Sequence, residues 1–314
     1  MRAKQFLSLL AFLIYAVPAF AAAPVEKRVI QDKRSNYSLD VSYPRTGQRN
    51  VDATLEAYAR ALAKDFLDMA KDATPEPGPW SGELTYEVVR NDAQMMVVAF
   101  TWYTYTGGAH PNATSEHFNF LLPEGARVEI AELFTPKGIQ RISDISIASL
   151  KRDLTGPDGM SDIDWIKRGA GPNARNFASY SLLPRELVIV FDSYQVAAYA
   201  AGPQEVRIPL SQLKDVIRPD PRAPAPSFDC TLARSDVEQS ICSNRDLARL
   251  DRHVAEAYAE RLMWAESDAK RASIRQGQRD WLRTRDGKCL VVRQPLAACL
   301  MGVYQARLAV LNQP

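Results

Sequence analysis

From Tyr37 to Tyr43 apolar and polar residues alternate: Tyr37, Leu39, Val41 and Tyr43 interleave with Ser38, Asp40 and Ser42. A period of two is that of a strand with one buried face. Over Val51 to Ala70 the period lengthens, because Leu55, Ala59, Leu62, Phe66 and Met69 recur at spacings of three and four, which predicts an amphipathic helix laid on the sheet. Strand patterning returns over Leu84 to Val89 and Met95 to Tyr105, the second rich in aromatic and β-branched residues on both faces, as a central strand is. Glu116 to Leu122 and Val128 to Ile130 are joined by Pro123, Glu124, Gly125 and Ala126, a turn-forming cluster suited to a hairpin. Ile139, Ile142, Ile145 and Leu150 mark a second helix that stops near Gly156 and Pro157, and Leu187 to Phe191 and Val206 to Ile208 are the last strands. Helices set between runs of hairpin-linked strands predict an α+β domain, an antiparallel sheet with packed helices, over residues 22–217.

Four prolines within Arg218 to Pro226 forbid helix and favour extended backbone, which places a linker at 218–227. As a semi-rigid spacer it would hold the flanking folds about 25 to 30 Å apart. Residues 228–314 carry helix patterning. Ser235 with Glu238, and Ser243 with Asp246, fit the hydroxyl-and-acid signature of a helix start. Leu247, Leu250, Val254, Tyr258 and Leu262 form one stripe, Ile274, Trp281 and Leu282 belong to a second, and Cys299, Val303, Leu308 and Leu311 to a third. A small all-α bundle is expected. All four cysteines lie here: Cys230 and Cys242 before the long first helix, Cys289 and Cys299 after the second. An antiparallel hairpin brings those ends together, so disulfides from the first pair to the second are expected, each closing a long loop. The gaps between cysteines are far from the paired spacing of a zinc site.

The chain has 314 residues, 46% hydrophobic and 24% charged, which excludes a low-complexity or disordered protein. Arg2 and Lys4 precede an apolar run from Phe6 to Val17 and the small-residue site Ala19-Phe20-Ala21, the arrangement of an export signal cleaved after Ala21. Its removal leaves 37 basic and 37 acidic residues. A balanced chain lacks the cationic footprint of nucleic-acid binding. No cysteine follows the cleavage site to take a lipid, and no later stretch is apolar for long enough to span a bilayer, so a periplasmic or secreted protein with an even number of disulfide-forming cysteines is expected.

No G-x-S-x-G, H-E-x-x-H or phosphate-binding loop is present. His110 and His117 could meet across a hairpin and hold a metal with Asp or Glu, but no third ligand accompanies them in sequence, and neither a metal nor a cofactor is expected. Asp162 and Asp164, a conceivable carboxylate pair, read as part of a solvated polar loop. The sharpest local feature is Tyr105 to Asn112, in which Thr106, Gly107, Gly108, Ala109 and His110 follow the aromatic strand. Adjacent glycines there suit either a tight turn or close approach by a ligand. Arg271, Arg275, Arg279 and Arg283 step by four into a cationic ridge that reads first as a solvated helix face. Trp281 and Tyr258 read as core, and Asp251, Arg285 and Asp286 as ion pairs inside the bundle.

Tyr105 to His110, the later Ala131-Glu132-Leu133-Phe134, and Asp192 to Gly202, followed by Ile208-Pro209-Leu210, resemble the extracellular domain of RsiV-type anti-sigma factors, a domain that also accompanies some peptidoglycan deacetylases. In those anti-sigma factors it is a lysozyme receptor; the transmembrane and sigma-binding segments of that family have no counterpart here. Phe228-Asp229-Cys230, Val237 to Cys242, Leu247 to Asp251, Gln278 to Leu282, Arg285-Asp286 with Cys289, and Cys299-Leu300 with Tyr304 to Arg307 are similar to the LprI-type lysozyme-inhibitor family. Together the resemblances imply a non-catalytic partner of lysozyme-like muramidases, or alternatively a peptidoglycan-binding envelope module. Thr106, Gly107, Gly108, His110, Ser193, Tyr194, Tyr199, Arg275 and Arg279 are the candidate partner contacts.

Overall fold

The computed structural model describes residues 25–71, 78–155, 161–291 and 294–313. The expected signal segment, 1–21, lies outside them, as do Gly156 and Gly159. Strand β1 (Glu26–Lys33) pairs antiparallel with β2 (Tyr37–Arg45), and helix α1 (Arg49–Ala70) carries the chain back so that β3 (Trp80–Asn91) runs parallel to β2, with Tyr37 opposite Trp80. β4 (Met95–Tyr105), β5 (Asn112–Leu121) and β6 (Ala126–Val128) follow antiparallel in order. The sheet is therefore mixed rather than wholly antiparallel. A helical crossover is what a parallel pair requires, and α1 supplies it. Leu55, Ala59 and Phe66 of the stripe read for α1, joined by Val51, pack on Leu39, Val41, Leu84 and Phe100 of the sheet, whereas Met69, read into the same stripe, is exposed. β1 escapes that reading because Val29 and Ile30 are its only apolar residues; its charged positions suit an edge strand.

A second core lies on the sheet's other side. Helices α2 (Ile130–Leu133), α3 (Pro136–Leu154) and α4 (Ile163–Gly169) enclose, with the three-stranded sheet β7 (Tyr180–Leu182), β8 (Glu186–Phe191) and β9 (Gln204–Pro209), a cluster centred on Ile142, Ile166, Phe177, Phe191 and Ile208. Buried Asn119 stitches the two sheets: its amide nitrogen donates to the Tyr180 carbonyl at 2.7 Å and its oxygen accepts from the Leu182 N–H at 2.9 Å. Strand β6 ends at Val128, and Ile130, expected in the strand, instead begins α2, whose start is closed by the reciprocal Glu129 and Glu132 capping bonds. The expected polar loop at Asp162 is likewise a helix start, Asp162 accepting from the Trp165 N–H at 2.7 Å.

The C-terminal part is all helical: α5 (Asp236–Ser243), α6 (Arg245–Met263), α7 (Asp268–Cys289) and α8 (Leu296–Leu311). Ser235 and Glu238 form the expected capping box, but α6 is capped by Asn244, which accepts from the Leu247 N–H at 3.0 Å, while Ser243 closes α5. The disulfides are Cys230–Cys242 and Cys289–Cys299, which corrects the expected pairing of first with second. Helix α5, whose start at Ser235 was read but not its turn-back, folds Cys242 beside Cys230, and the α7–α8 turn does the same for Cys289 and Cys299. Helix α7 packs through a narrow stripe of Arg271, Ile274, Gln278, Trp281, Arg285 and Cys289, and Leu282 points outward, 37% exposed, against expectation.

Residues 218–227 do not act as a spacer. The Arg218 N–H donates to the Leu133 carbonyl at 2.8 Å, Arg222 pairs with Glu124 at 2.8 Å, and the Ser227 N–H donates to Asp251 at 2.8 Å, so this segment lies along both parts. Charge completes the contact. Glu132, 1% exposed, accepts from Arg245 at 3.0 Å and Arg249 at 2.8 Å, and Glu129 accepts from Arg252 at 2.6 Å and His253 at 2.8 Å. The backbone is not extended throughout as expected: Pro221 and Arg222 form a turn closed by the Ala223 N–H on the Asp220 carbonyl at 3.3 Å, and Arg252 of α6 holds the Ala225 carbonyl at 2.5 Å.

Candidate functional site

Two loops that are far apart in sequence meet at one end of the first sheet. The loop after β4 carries Thr106, Gly107, Gly108 and His110, and the loop after β8 carries Ser193, Tyr194 and Tyr199. The His110 and Tyr199 rings stack with centroids 3.7 Å apart, and Tyr194 lies 5.7 Å from Tyr199. The Tyr199 hydroxyl donates to the Pro111 carbonyl at 2.8 Å. With its proton on Nδ1, His110 donates to the same carbonyl at 3.1 Å, and Nε2 is 3.4 Å from the Tyr194 hydroxyl. Gly107 has φ +87°, which a side chain would resist, whereas Gly108 adopts no such angle and a Cβ there would touch the His110 carbonyl oxygen at an ordinary 3.9 Å.

Tyr194 is the unusual member. Its φ of +69° is a left-handed conformation that a bulky residue adopts only when its surroundings impose it, and the residue remains 53% exposed. The surroundings are specific. The Trp165 Nε1–H donates to the Tyr194 carbonyl at 3.0 Å, Gln195 donates through Nε2 to the Gly169 and Asn176 carbonyls at 2.9 Å, and Asp192 accepts from the Ser115 N–H at 3.0 Å. Burial raises the Asp192 carboxyl above its ordinary range despite that bond. Trp165 and Ser115 were not among the sequence candidates. No local pattern marks them, since each acts through its fold position on α4 or β5.

The other candidates, Arg275 and Arg279, lie on the exposed side of α7, well away from the packed stripe. Arg279 bonds Gln276 at 2.5 Å, Arg283 pairs with Asp280, and Arg271 pairs with Asp268 at 3.0 Å and turns partly inward. The inner face of α7 holds a buried relay in which Arg285 donates to the Tyr304 hydroxyl at 2.7 Å and that hydroxyl donates to Asp251 at 2.8 Å. Arg285 also pairs with Asp286 at 2.7 Å. Of the expected ion pairs, that of Arg285 with Asp286 forms, whereas Asp251 meets Arg285 through the Tyr304 hydroxyl rather than directly. Trp281 packs edge-on against Tyr304, and Tyr258 is a half-buried neighbour of the same core.

His110 and His117 have different partners. His117, on β5, bonds Ser181 at 2.9 Å through Nδ1, and burial lowers its pKa to about 4. Among the described residues no three His, Cys, Asp or Glu side chains are grouped to hold a metal ion. None of the described helices is long and apolar enough to cross a membrane.

Comparison with known proteins matches three stretches of the chain. Residues 230–311 match the family described as lysozyme inhibitor LprI. Residues 131–211 match a family of unknown function, DUF3298, and residues 18–113 match the family described as deacetylase PdaC. A curated relative, the peptidoglycan-N-acetylmuramic acid deacetylase PdaC of Bacillus subtilis strain 168, is 27% identical over 200 residues, 62% of this chain. The match covers 42% of that enzyme, so the chain spans less than half its length. Solved structures of DUF3298 family proteins from Pseudomonas aeruginosa PAO1 and Bacteroides fragilis align over 63% and 64% of this chain and 96% of theirs, at 16% and 15% identity and TM-scores of 0.46 and 0.44.

Proposed function

We propose that this protein is an exported, non-catalytic binder of lysozyme-like muramidases that inhibits them by occlusion. The observation that carries the reading is the match of the disulfide-stapled bundle, over nearly its whole length, to the lysozyme-inhibitor family. A muramidase cleaves between two carboxyl groups that must reach the glycosidic bond, so a rigid body seated in the cleft stops turnover without chemistry of its own. Two surfaces of this molecule suit that role. The exposed Tyr194 ring, held with Tyr199 and His110 beside Thr106, Gly107, Gly108 and Ser193, presents the preordered aromatic anchor enriched in interface hot spots. Arg275 and Arg279 present cationic groups suited to an acidic cleft.

The test is the muramidase rate of representatives of the major lysozyme types with the mature protein in micromolar excess. The reading requires inhibition of at least one type, relieved by Y194A/Y199A or by R275E/R279E according to the surface used. Unchanged turnover with every type overturns it. The relationship to a peptidoglycan deacetylase favours a second reading, an envelope module that holds the wall itself; co-sedimentation with insoluble peptidoglycan in the absence of any inhibition would select it.

A further inference from the structure

Where the α+β part and the bundle meet, a cleft of about 340 Å³ remains, at the small end of the range for small-molecule sites. Its walls come from both parts: His117, Arg127 and Arg175 on one side, His253 and Glu256 of α6 on the other. Most polar groups in such a contact are spent on one another, as Arg252 is on Glu129 at 2.6 Å and on the Ala225 carbonyl at 2.5 Å. Glu256 is the exception. Its side chain is 14% exposed, yet among the described residues the one cation within 4 Å of its carboxylate is the committed Arg252, at 3.6 Å, while His253 and Arg175 act on it from farther off. Burial raises its pKa above the ordinary carboxyl range, so the folded chain carries an acid that costs stability at neutral pH.

Across the cleft the situation is reversed. Arg127 pairs with Glu116 through Nη2 at 2.6 Å, and Arg175 pairs with Glu260 through Nη1 at 2.8 Å. Each guanidinium has five N–H donors, and both side chains remain more than a third exposed, so donors are left over on that wall. His117, its Nδ1 taken by Ser181, keeps Nε2 unspent. One wall therefore holds a carboxylate whose nearest cation is spent on Glu129, and the other holds guanidinium donors left over from their own pairs.

We propose that this cleft binds a small zwitterion of amino-acid or dipeptide size, its ammonium group on Glu256 and its carboxylate on Arg127 and Arg175. Only a ligand with both charges satisfies both walls. The site exists because the two parts dock, since neither supplies both walls.

Full-length protein titrated calorimetrically with alanine and with alanyl-alanine, each in both enantiomeric forms, should show saturable binding. N-acetylalanine, lacking the ammonium, and alaninamide, lacking the carboxylate, should bind at least about tenfold more weakly, a difference of ~1.4 kcal/mol. Glu256→Gln should lose about as much affinity while its unligated melting midpoint at pH 7 stays equal or rises, because the substitution removes an ill-paired buried charge. Arg175→Gln, on the rim, should weaken binding with no change in fold. Absence of saturable heat with every zwitterion at millimolar concentration, equal binding of N-acetylalanine, or unaltered affinity in both variants would overturn the proposal. Muramidase inhibition, measured in parallel, reports on the other surfaces, so the two readings fail separately.

Discussion

Tyr194 holds a left-handed backbone while about half of the residue stays in solvent, so side-chain burial only partly offsets the conformation. Such positions cost of order 1 kcal/mol or more and mark sites where orientation matters more than stability. Tyr194→Gly should accordingly raise stability by about 0.5–1 kcal/mol, read from denaturant midpoints, while abolishing whatever contact the ring makes. His117 is held neutral by burial, its pKa pushed down to about 4. A depressed folded pKa favours the folded state above the unfolded value near 6.5, and that stability is lost as the pH falls toward 4, where the unfolded chain takes up a proton that the native one refuses. His117→Gln should flatten the decline of unfolding free energy between pH 6.5 and 4, of which this residue contributes up to about 3 kcal/mol. A parent-like slope would place the loss elsewhere.

At the scale of elements, each disulfide closes a short loop, with separations of 12 and 10 residues, and so is worth about 2–3 kcal/mol rather than the larger value of a bridge spanning the hairpin. Cys289→Ser should lower the bundle's stability by that amount under oxidising conditions, and proteolytic mass mapping of the parent should recover Cys230 linked to Cys242. Long elements with regular spacing were legible: Met95–Tyr105, α1, α3 and the capping box at Ser235 stand where their patterns place them. Short or polar elements were not, because β1, α4 and α5 are specified by what they pack against. The wrong disulfide pairing follows from the same cause, since the start of α5 was legible at Ser235 but not that so short a helix reverses the chain and sets Cys242 beside Cys230. Of the candidate site, the glycine and tyrosine loops were readable as motifs, but their meeting was not. Stacking of His110 on Tyr199 depends on β4, β5 and β8 sharing one edge of the fold.

The whole molecule is governed by one charged seam. Glu129 and Glu132 sit at the start of α2, and Arg245, Arg249, Arg252 and His253 sit along one face of α6, so a helix start in the α+β part receives a row of cations from the bundle. Burial alone would raise the Glu129 carboxyl, but His253, Arg252 and Arg249 overcome it and bring its pKa down to about 2. By linkage, the stability this confers is complete above the unfolded value near 4.3 and disappears only as the pH falls toward 2, so the seam should survive moderate acidity. Removing Glu132 is harsher. Its carboxylate is almost wholly buried and serves Arg245 and Arg249 together, so Glu132→Ala leaves two guanidinium groups without their main partner at the contact, a loss of about 3–5 kcal/mol by the cost of breaking buried pairs. The bundle has its own core and disulfides, and the sheets have theirs, so that loss should fall on coupling rather than on either fold. Scanning calorimetry of the parent should show one cooperative transition, and of Glu132→Ala two, with the disulfide-held bundle melting apart from the sheets. A single transition shifted bodily downward would mean instead that the apolar contacts, not the seam, hold the parts together.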